Sequence, residues 1–289
     1  MKVALVTHTY LPNFLGGRET FLRDLAKYMV KRGIITEIFS GDYVKSPKTE
    51  FYNGIKNHYF PMKTLKLWGY PYRFVLPSYL LAIHHFKPDL IHCLDYRHFT
   101  TDLTTFYAKI FNIPILISLH GLGHIASKNF QKILWFYDHS FGFLILSLID
   151  KIVAYPYENS LEPIFKNFKK KIIKINPALD LELLKNSGLE DSLREKYNLN
   201  GKFIILSVGR ESQGDYKGHD FILKVWDRIK PPNSELIIVG HNSFKKMNGV
   251  LILPHIPQNE VYDFYKIADV YLLPSKYETC GRVILESLC

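Results

Sequence analysis

The chain is poor in cysteine, with three in 289 residues (Cys93, Cys280 and Cys289) and no Cys-x-x-Cys pair. An odd, scattered set excludes a disulfide framework and a zinc ribbon, and it fits a reducing, cytoplasmic setting. Long hydrophobic runs are missing as well. The longest, Phe141–Ile149, includes Ser147 and is about half of the roughly 18 residues that a membrane-spanning helix needs. Met1-Lys2 leads directly into VALVTHTYLP, which reads as a buried first strand and not as a secretory leader. No Asp-x-Asp occurs; the nearest pattern, Asp180-Leu181-Glu182, falls at a hinge. Acid is scarce in one half only. Residues 1–175 carry 23 Lys and Arg against 12 Asp and Glu, whereas residues 176–289 carry 14 against 15. The excess in the first half suits an anionic partner such as a phospholipid face or a polyprenyl phosphate, and equally a plain solvated surface. Nucleic acid is not expected, because no recognition motif accompanies the charge.

What is present is apolar and aromatic: 47% hydrophobic and 15% aromatic residues, too much apolar area for a disordered chain. Short β-rich runs alternate with helical patterns. Lys2–His8, Ile34–Ser40, Leu90–Cys93 and Pro114–Leu119 read as strands, with helices over Glu19–Arg32, Leu76–His85 and Thr101–Phe111. The pattern restarts with strands at Phe203–Val208, Glu235–Val239, Val250–Leu253 and Val270–Leu273, and helices at Asp220–Ile229 and Glu260–Ala268. Near-continuous hydrophobic strands spaced by helices predict parallel sheets covered on both faces. The Asn-Pro near Ile175–Asp180 marks a hinge, which gives two doubly wound domains, 1–176 and 177–289. If the second has strand order 3-2-1-4-5-6, strands 1 to 4 are present and the chain is expected to stop inside that domain. The apolar run Phe136–Ile149 is expected as a buried helix. The basic, aromatic stretch Lys63–Phe74 suits a membrane interface, an acceptor pocket or an ordered loop.

Three places carry chemistry. Gly16 and Gly17 stand between the first strand and its helix, where backbone N–H groups can approach an anion; the pattern is not Gly-x-Gly-x-x-Gly. Gly209-Arg210 ends a strand, and Lys217-Gly218 follows a polar loop; the Arg fork and the Lys point charge suit a diphosphate. Finally, Leu273-Pro274-Ser275 closes a strand and Lys276–Gly281 turns into a helix. Glu278 and Glu286 then lie roughly 10 Å apart along a helix axis. Carboxylates at that distance suit paired sugar hydroxyls, and the N–H groups of Thr279, Cys280 and Gly281 lie between them.

Together these features resemble the retaining glycosyltransferases of family 4, which have the GT-B fold. The matching residues are Gly16-Gly17-Arg18-Glu19 (GGxE), Pro88–His92 (PDhhH), His120-Gly121 (HG) and Gly209-Arg210 with Lys217-Gly218 (GR…KG). They continue with Ala268–Val270 and Leu272–Ser275 (ADVxxxPS), and with Glu278 to Glu286 (E-x7-E). The resemblance implies two Rossmann-like domains facing a cleft. It implies transfer of a sugar, with retention and without a metal, from a nucleotide diphosphate-sugar to a glycan or lipid-linked hydroxyl acceptor. Glu278 then contacts the donor sugar, Glu286 the ribose, and Arg210 and Lys217 the leaving diphosphate. Gly16 and Gly17 approach donor or acceptor, and His120 stands beside the reacting carbon. The implied place is the cytoplasm, with peripheral membrane contact through the basic first domain. Thr279-Cys280 stands where the family usually has Phe, and the Arg210-to-Lys217 loop is longer than its commonest form. A non-catalytic GT-B subunit and a nucleotide-sugar epimerase are the alternatives.

Overall fold

The computed structural model describes the chain except for residues 14–15, 53, 68–69, 121–127, 157–162, 183–187, 189, 212–214, 277 and 279–280. Of the residues singled out above, Trp68, Gly69, Gly121, Thr279 and Cys280 lie outside the described residues. The chain folds as two compact units, Met1–Asn176 and Pro177–Cys289.

The first unit is built on β1 (Lys2–Thr7), β2 (Ile35–Asp42), β3 (Lys48–Tyr52), β4 (Ile55–Leu67), β5 (Tyr70–Val75), β6 (Leu90–Leu94), β7 (Ile115–Ser118), β8 (Lys151–Ala154) and β9 (Ile172–Lys174). Their order is β3-β4-β2-β1-β6-β7-β8-β9, with β5 also paired to β4. β3 and β5 are antiparallel to β4, and the pairings from β4 through β2 and β1 to β9 are parallel. Period-two alternation divides β1 between two cores. Val3 and Leu5 pack with Leu22 and Ala26 of the helix Gly17–Lys31. Ala4 and Val6 pack on the other face with Ile83, Ile91 and Ile117. Both faces are dry, so the strand is apolar throughout, as a parallel sheet requires.

Two sequence expectations are corrected here. Of the three readings of Lys63–Phe74 the ordered loop falls, because 63–67 belong to β4 and 70–74 to β5, with Leu65 opposite Tyr72 and Met62 opposite Val75. Phe136–Ile149 is not one buried helix. It belongs to two, Lys128–His139 and Phe141–Leu148, separated at Ser140, whose φ and ψ of −127° and −100° are not helical. The second helix turns Ile145 and Leu146 inward because Gly142 lets it close on Tyr96. A Cβ at Gly142 would lie 2.2 Å from the Tyr96 hydroxyl. Trp135, Phe136, Phe143 and Leu144 are left outside, with Phe136 69% exposed.

In the second unit β10 (Phe203–Val208), β11 (Ser234–His241), β12 (Lys245–Met247), β13 (Val250–Pro254) and β14 (Val270–Tyr271) take the order β12-β13-β11-β10-β14. The four parallel strands β13, β11, β10 and β14 reproduce the expected 3-2-1-4 order, and antiparallel β12 adds an edge that the sequence did not announce. Ile222 and Trp226 of the helix His219–Ile229 cover one face with Leu236 and Ile238. Tyr262 and Phe264 of the helix Gln258–Ile267 cover the other with Ile204 and Leu206.

Candidate active site

Ligands of open parallel sheets sit at the carboxyl ends of the strands, and in each unit the polar residues collect there. In the first unit Arg18 is the hub. Its Nη1 donates to Asp95 Oδ2 at 2.6 Å, and its Nη2 donates to Thr9 Oγ1 and to Glu19 Oε1, both at 2.5 Å. Thr9 Oγ1 also donates to Glu19 Oε1 at 3.0 Å. Burial works against the charge on Arg18, but Glu19 and Asp95 outweigh it and keep the guanidinium protonated. Burial likewise opposes the charge on Asp95, yet Arg18 and then His120 and His98 hold its carboxyl below the usual carboxylate range. Asp95 Oδ1 accepts from the His120 backbone N–H at 3.1 Å, and the His120 ring meets the Tyr155 hydroxyl through Nδ1 at 3.1 Å. The candidate His120 is thus fixed at both backbone and ring. Gly16 has an extended backbone, and a Cβ at Gly17 would meet nothing within 4 Å, so the space in front of Gly17 is open.

Sequence reasoning missed Asp95, His8 and His98. The signal for Asp95 was its place as the first acid after the apolar strand β6. It has a φ of +75°, the left-handed region that an Asp rarely occupies and that clusters at functional sites. The His8 and His98 rings stack with centroids 3.8 Å apart. Burial, reinforced by Arg18, holds the His8 imidazole well below its usual range. Burial also brings His98 down to about 4, so both rings are neutral at pH 7. Among the described residues, His8, Asp95 and His98 form the one group with metal-ligand spacing. Arg18 already occupies Asp95 and lies 3.2 Å from His8 Nε2, so a divalent ion would face a fixed positive charge. His92 of the PDhhH match is structural: it is buried and meets Ser118 Oγ at 2.7 Å.

In the second unit the structure brings Gly209, Lys217 and Glu278 together. The turn before the helix His219–Ile229 docks on the segment after β14: Lys276 N–H donates to Tyr216 O at 2.8 Å. Gly218, at φ +75°, lies so close to Pro274 that a Cβ would stand 2.4 Å from its carbonyl oxygen. Lys217 Nζ forms an ion pair with Glu278 Oε1, which also accepts from Ser275 Oγ at 2.8 Å. The absent Cβ of Gly209 makes room for the Lys217 stem, whose Cγ would otherwise be 3.0 Å from it. Arg210 is exposed and has no ion-pair partner among the described residues. Of the two cations expected to suit a diphosphate, Lys217 is paired with Glu278 and Arg210 is exposed.

Gly281, at φ +54°, opens the helix Arg282–Ser287, which carries Glu286. Glu286 is buried. Arg282 Nε donates to its Oε1 at 3.0 Å, while Gln258 Nε2 and the Tyr265 hydroxyl approach it at 3.4 Å. The last two are at the long limit of a hydrogen bond.

The model for Glycosyltransferase Family 4 matches residues 15–155, and that for Glycosyl transferases group 1 matches residues 190–289. An uncharacterised glycosyltransferase of Methanocaldococcus jannaschii is 23% identical over 326 residues, which take in 100% of this chain and 78% of that protein. Among solved structures, HepE of Anabaena in complex with UDP-glucose superposes with a TM-score of 0.68 at 17% identity, covering 100% of this chain and 78% of its own. The UDP-forming trehalose-phosphate synthase of Burkholderia xenovorans superposes with a TM-score of 0.69 at 11% identity, covering 100% and 82%. At such identities the structures speak for the GT-B fold alone. The two family models supply the rest, since one spans most of the first unit and the other most of the second. The chain is a glycosyltransferase of family 4.

Proposed function

We propose that the second unit binds a nucleotide diphosphate-sugar and that its hexose passes, with retention and without a metal, to a hydroxyl of an acceptor held by the first unit. The observation that carries this reading is the Lys217–Glu278–Ser275 contact beside the exposed Arg210. It sets a cation and a hydroxyl-binding carboxylate side by side at the carboxyl end of a parallel sheet. Arg210 and Lys217 stabilise the diphosphate as negative charge develops on it, which counts most in the transition state. Glu278 takes the donor sugar hydroxyls and Glu286 the ribose. His120, fixed by Asp95 and Tyr155, faces the reacting carbon with its ring. A lipid-linked acceptor brings the basic first unit to a membrane face, with Trp135 and Phe136 at the interface, as suits amphipathic rings.

Calorimetry with UDP, GDP and ADP tests the donor reading, and UDP-glucose, which the HepE structure holds, is the first nucleotide-sugar to try. One nucleotide binds saturably, and both Arg210→Ala and Glu286→Ala weaken it at least tenfold, about 1.4 kcal/mol. Unchanged affinity in both variants removes the reading. For the membrane contact, flotation with phosphatidylglycerol vesicles is lost in the Trp135→Ser, Phe136→Ser double variant. Flotation by that variant, or none by the parent chain, refutes the contact.

A further inference from the structure

The clamp end of the second sheet holds histidines that the reading above leaves without a role. His219 begins the helix His219–Ile229, two residues after Lys217. His241 ends β11 beside Gly240, where a Cβ would lie 2.4 Å from the Gly209 carbonyl oxygen. The two rings stack with centroids 5.0 Å apart, and His219 Nδ1 stands 3.0 Å from His241 Nε2. On its other side His241 Nδ1 is 3.6 Å from Glu211 Oε2, which accepts from the Asn242 N–H at 3.1 Å. The Glu211 N–H in turn donates to Gly240 O at 3.0 Å. The series Glu211, His241, His219 thus ties the arm bearing Arg210 to the arm bearing Lys217 across the end of β11.

A hydrogen bond between two imidazoles needs one protonated and one bare nitrogen. Attraction to the Glu211 carboxylate places the proton on His241 Nδ1, so His241 Nε2 accepts from His219 Nδ1–H. His219 Nε2 is then bare, and it is buried with no hydrogen-bond partner among the described residues. The pair is neutral in this arrangement. The groups that face it are Asp215 and Lys217 from the turn, Asp220 from the helix, Glu211 and Arg210 after β10, and His255 after β13. Burial first, and then His241, holds His219 down at about 4, while burial and Arg210 lower His255. A diphosphate between Arg210 and Lys217 adds negative charge beside the pair and favours its protonated form.

We infer that His219 and His241 are positioning residues of the diphosphate clamp, and that the pair takes up a proton as a nucleotide-sugar docks. The inference rests on the donor-site reading above. Because the bound protein holds the extra proton, affinity rises as pH falls, and the gain levels off only below about 4, where free His219 is itself protonated.

UDP-glucose, GDP-mannose and ADP-glucose are suitable probes, since a diphosphate diester does not itself titrate between about pH 5 and 8. Calorimetry in buffers of different ionisation enthalpy counts the protons exchanged. The expected result is net uptake near about pH 6 that fades by about pH 8, with affinity about tenfold tighter at the acid end. His219→Asn and His241→Gln keep a polar atom near the shared bond but do not titrate. They bind about threefold more weakly at pH 8 and show neither uptake nor the acid gain. Uptake equal to the parent chain in the double variant overturns the inference, and so does an affinity flat with pH in the parent. If no probe binds the folded chain, or Lys217→Ala binds like the parent, the donor site itself is misassigned, a separate and recognisable failure.

Discussion

The two units carry charge at the same place, the carboxyl end of a parallel sheet, and treat it in opposite ways. In the first, Arg18 is closed in by Asp95, Glu19 and Thr9, with the Asp95 side chain only 5% exposed. In the second, Lys217 and Glu278 pair with 28% and 25% of their side chains exposed, and Arg210 is exposed. A buried pair that loses one member leaves a charge that water cannot reach, so its geometry is held firmly. A pair near the surface is worth little in itself and can exchange one partner for another at small cost. The first unit therefore holds its charges in a fixed frame beside His120, and the second holds an ion pair that can exchange partners.

The contrast is broken most severely at Asp95. Asp95→Ala leaves Arg18 short of a buried carboxylate and costs about 3–5 kcal/mol in urea unfolding. Glu278→Ala costs under about 1 kcal/mol in the same measurement, and equal losses would erase the distinction. Lys217→Ala comes next: it slows sugar transfer about 100- to 1000-fold with little change in unfolding midpoint. A fourth variant sharpens the fixed side. Asp102 is buried, accepts from the Tyr137 hydroxyl at 2.7 Å, and is pushed up by burial from 3.8 to about 7. The folded chain thus holds a proton that the unfolded chain releases between those values. The contribution is full below about pH 4 and is lost as pH rises through 7, amounting to a few kcal/mol. Asp102→Asn flattens that dependence in unfolding titrations; an unchanged slope would show that Asp102 is ionised in the fold. Smallest is Glu286→Gln. It keeps the neighbours of Glu286 but removes the charge, and it weakens nucleotide binding about three- to tenfold by calorimetry.

The strands that carry both sites were legible because each is a short apolar run with a helix pattern behind it. β1, β6, β10 and β11 all read this way, and so did Gly16 and Gly17 after β1 and Gly209 after β10. The hairpin of β4 and β5 was hidden because its lysines, aromatics and Pro71 show no regular apolar alternation along the sequence. β8 and β9, of four and three residues, begin or end on lysine and so offer only short apolar cores of Ile152–Ala154 and Ile172-Ile173. The helix over 136–149 was misjudged because apolar composition was taken for burial, whereas four of its large side chains point outward. The Arg18 hub was illegible for a different reason. Residues 8, 18, 95, 98 and 120 meet only once the sheet has formed, and no spacing along the chain anticipates that meeting.

The position of β1 has a consequence for synthesis. Val3 pairs with Thr36 on one side and with Leu90 on the other, so this strand is translated before both of its neighbours and completed late. At about 5–20 residues per second, a ribosome takes several seconds to deliver the second neighbour. For that time an apolar strand of the unit waits with an open edge, a template for unwanted pairing. Yield in the cell is accordingly governed at Lys2–Thr7 by what shields a nascent strand, and substitutions there alter recovery of soluble chain independently of the stability of the finished fold.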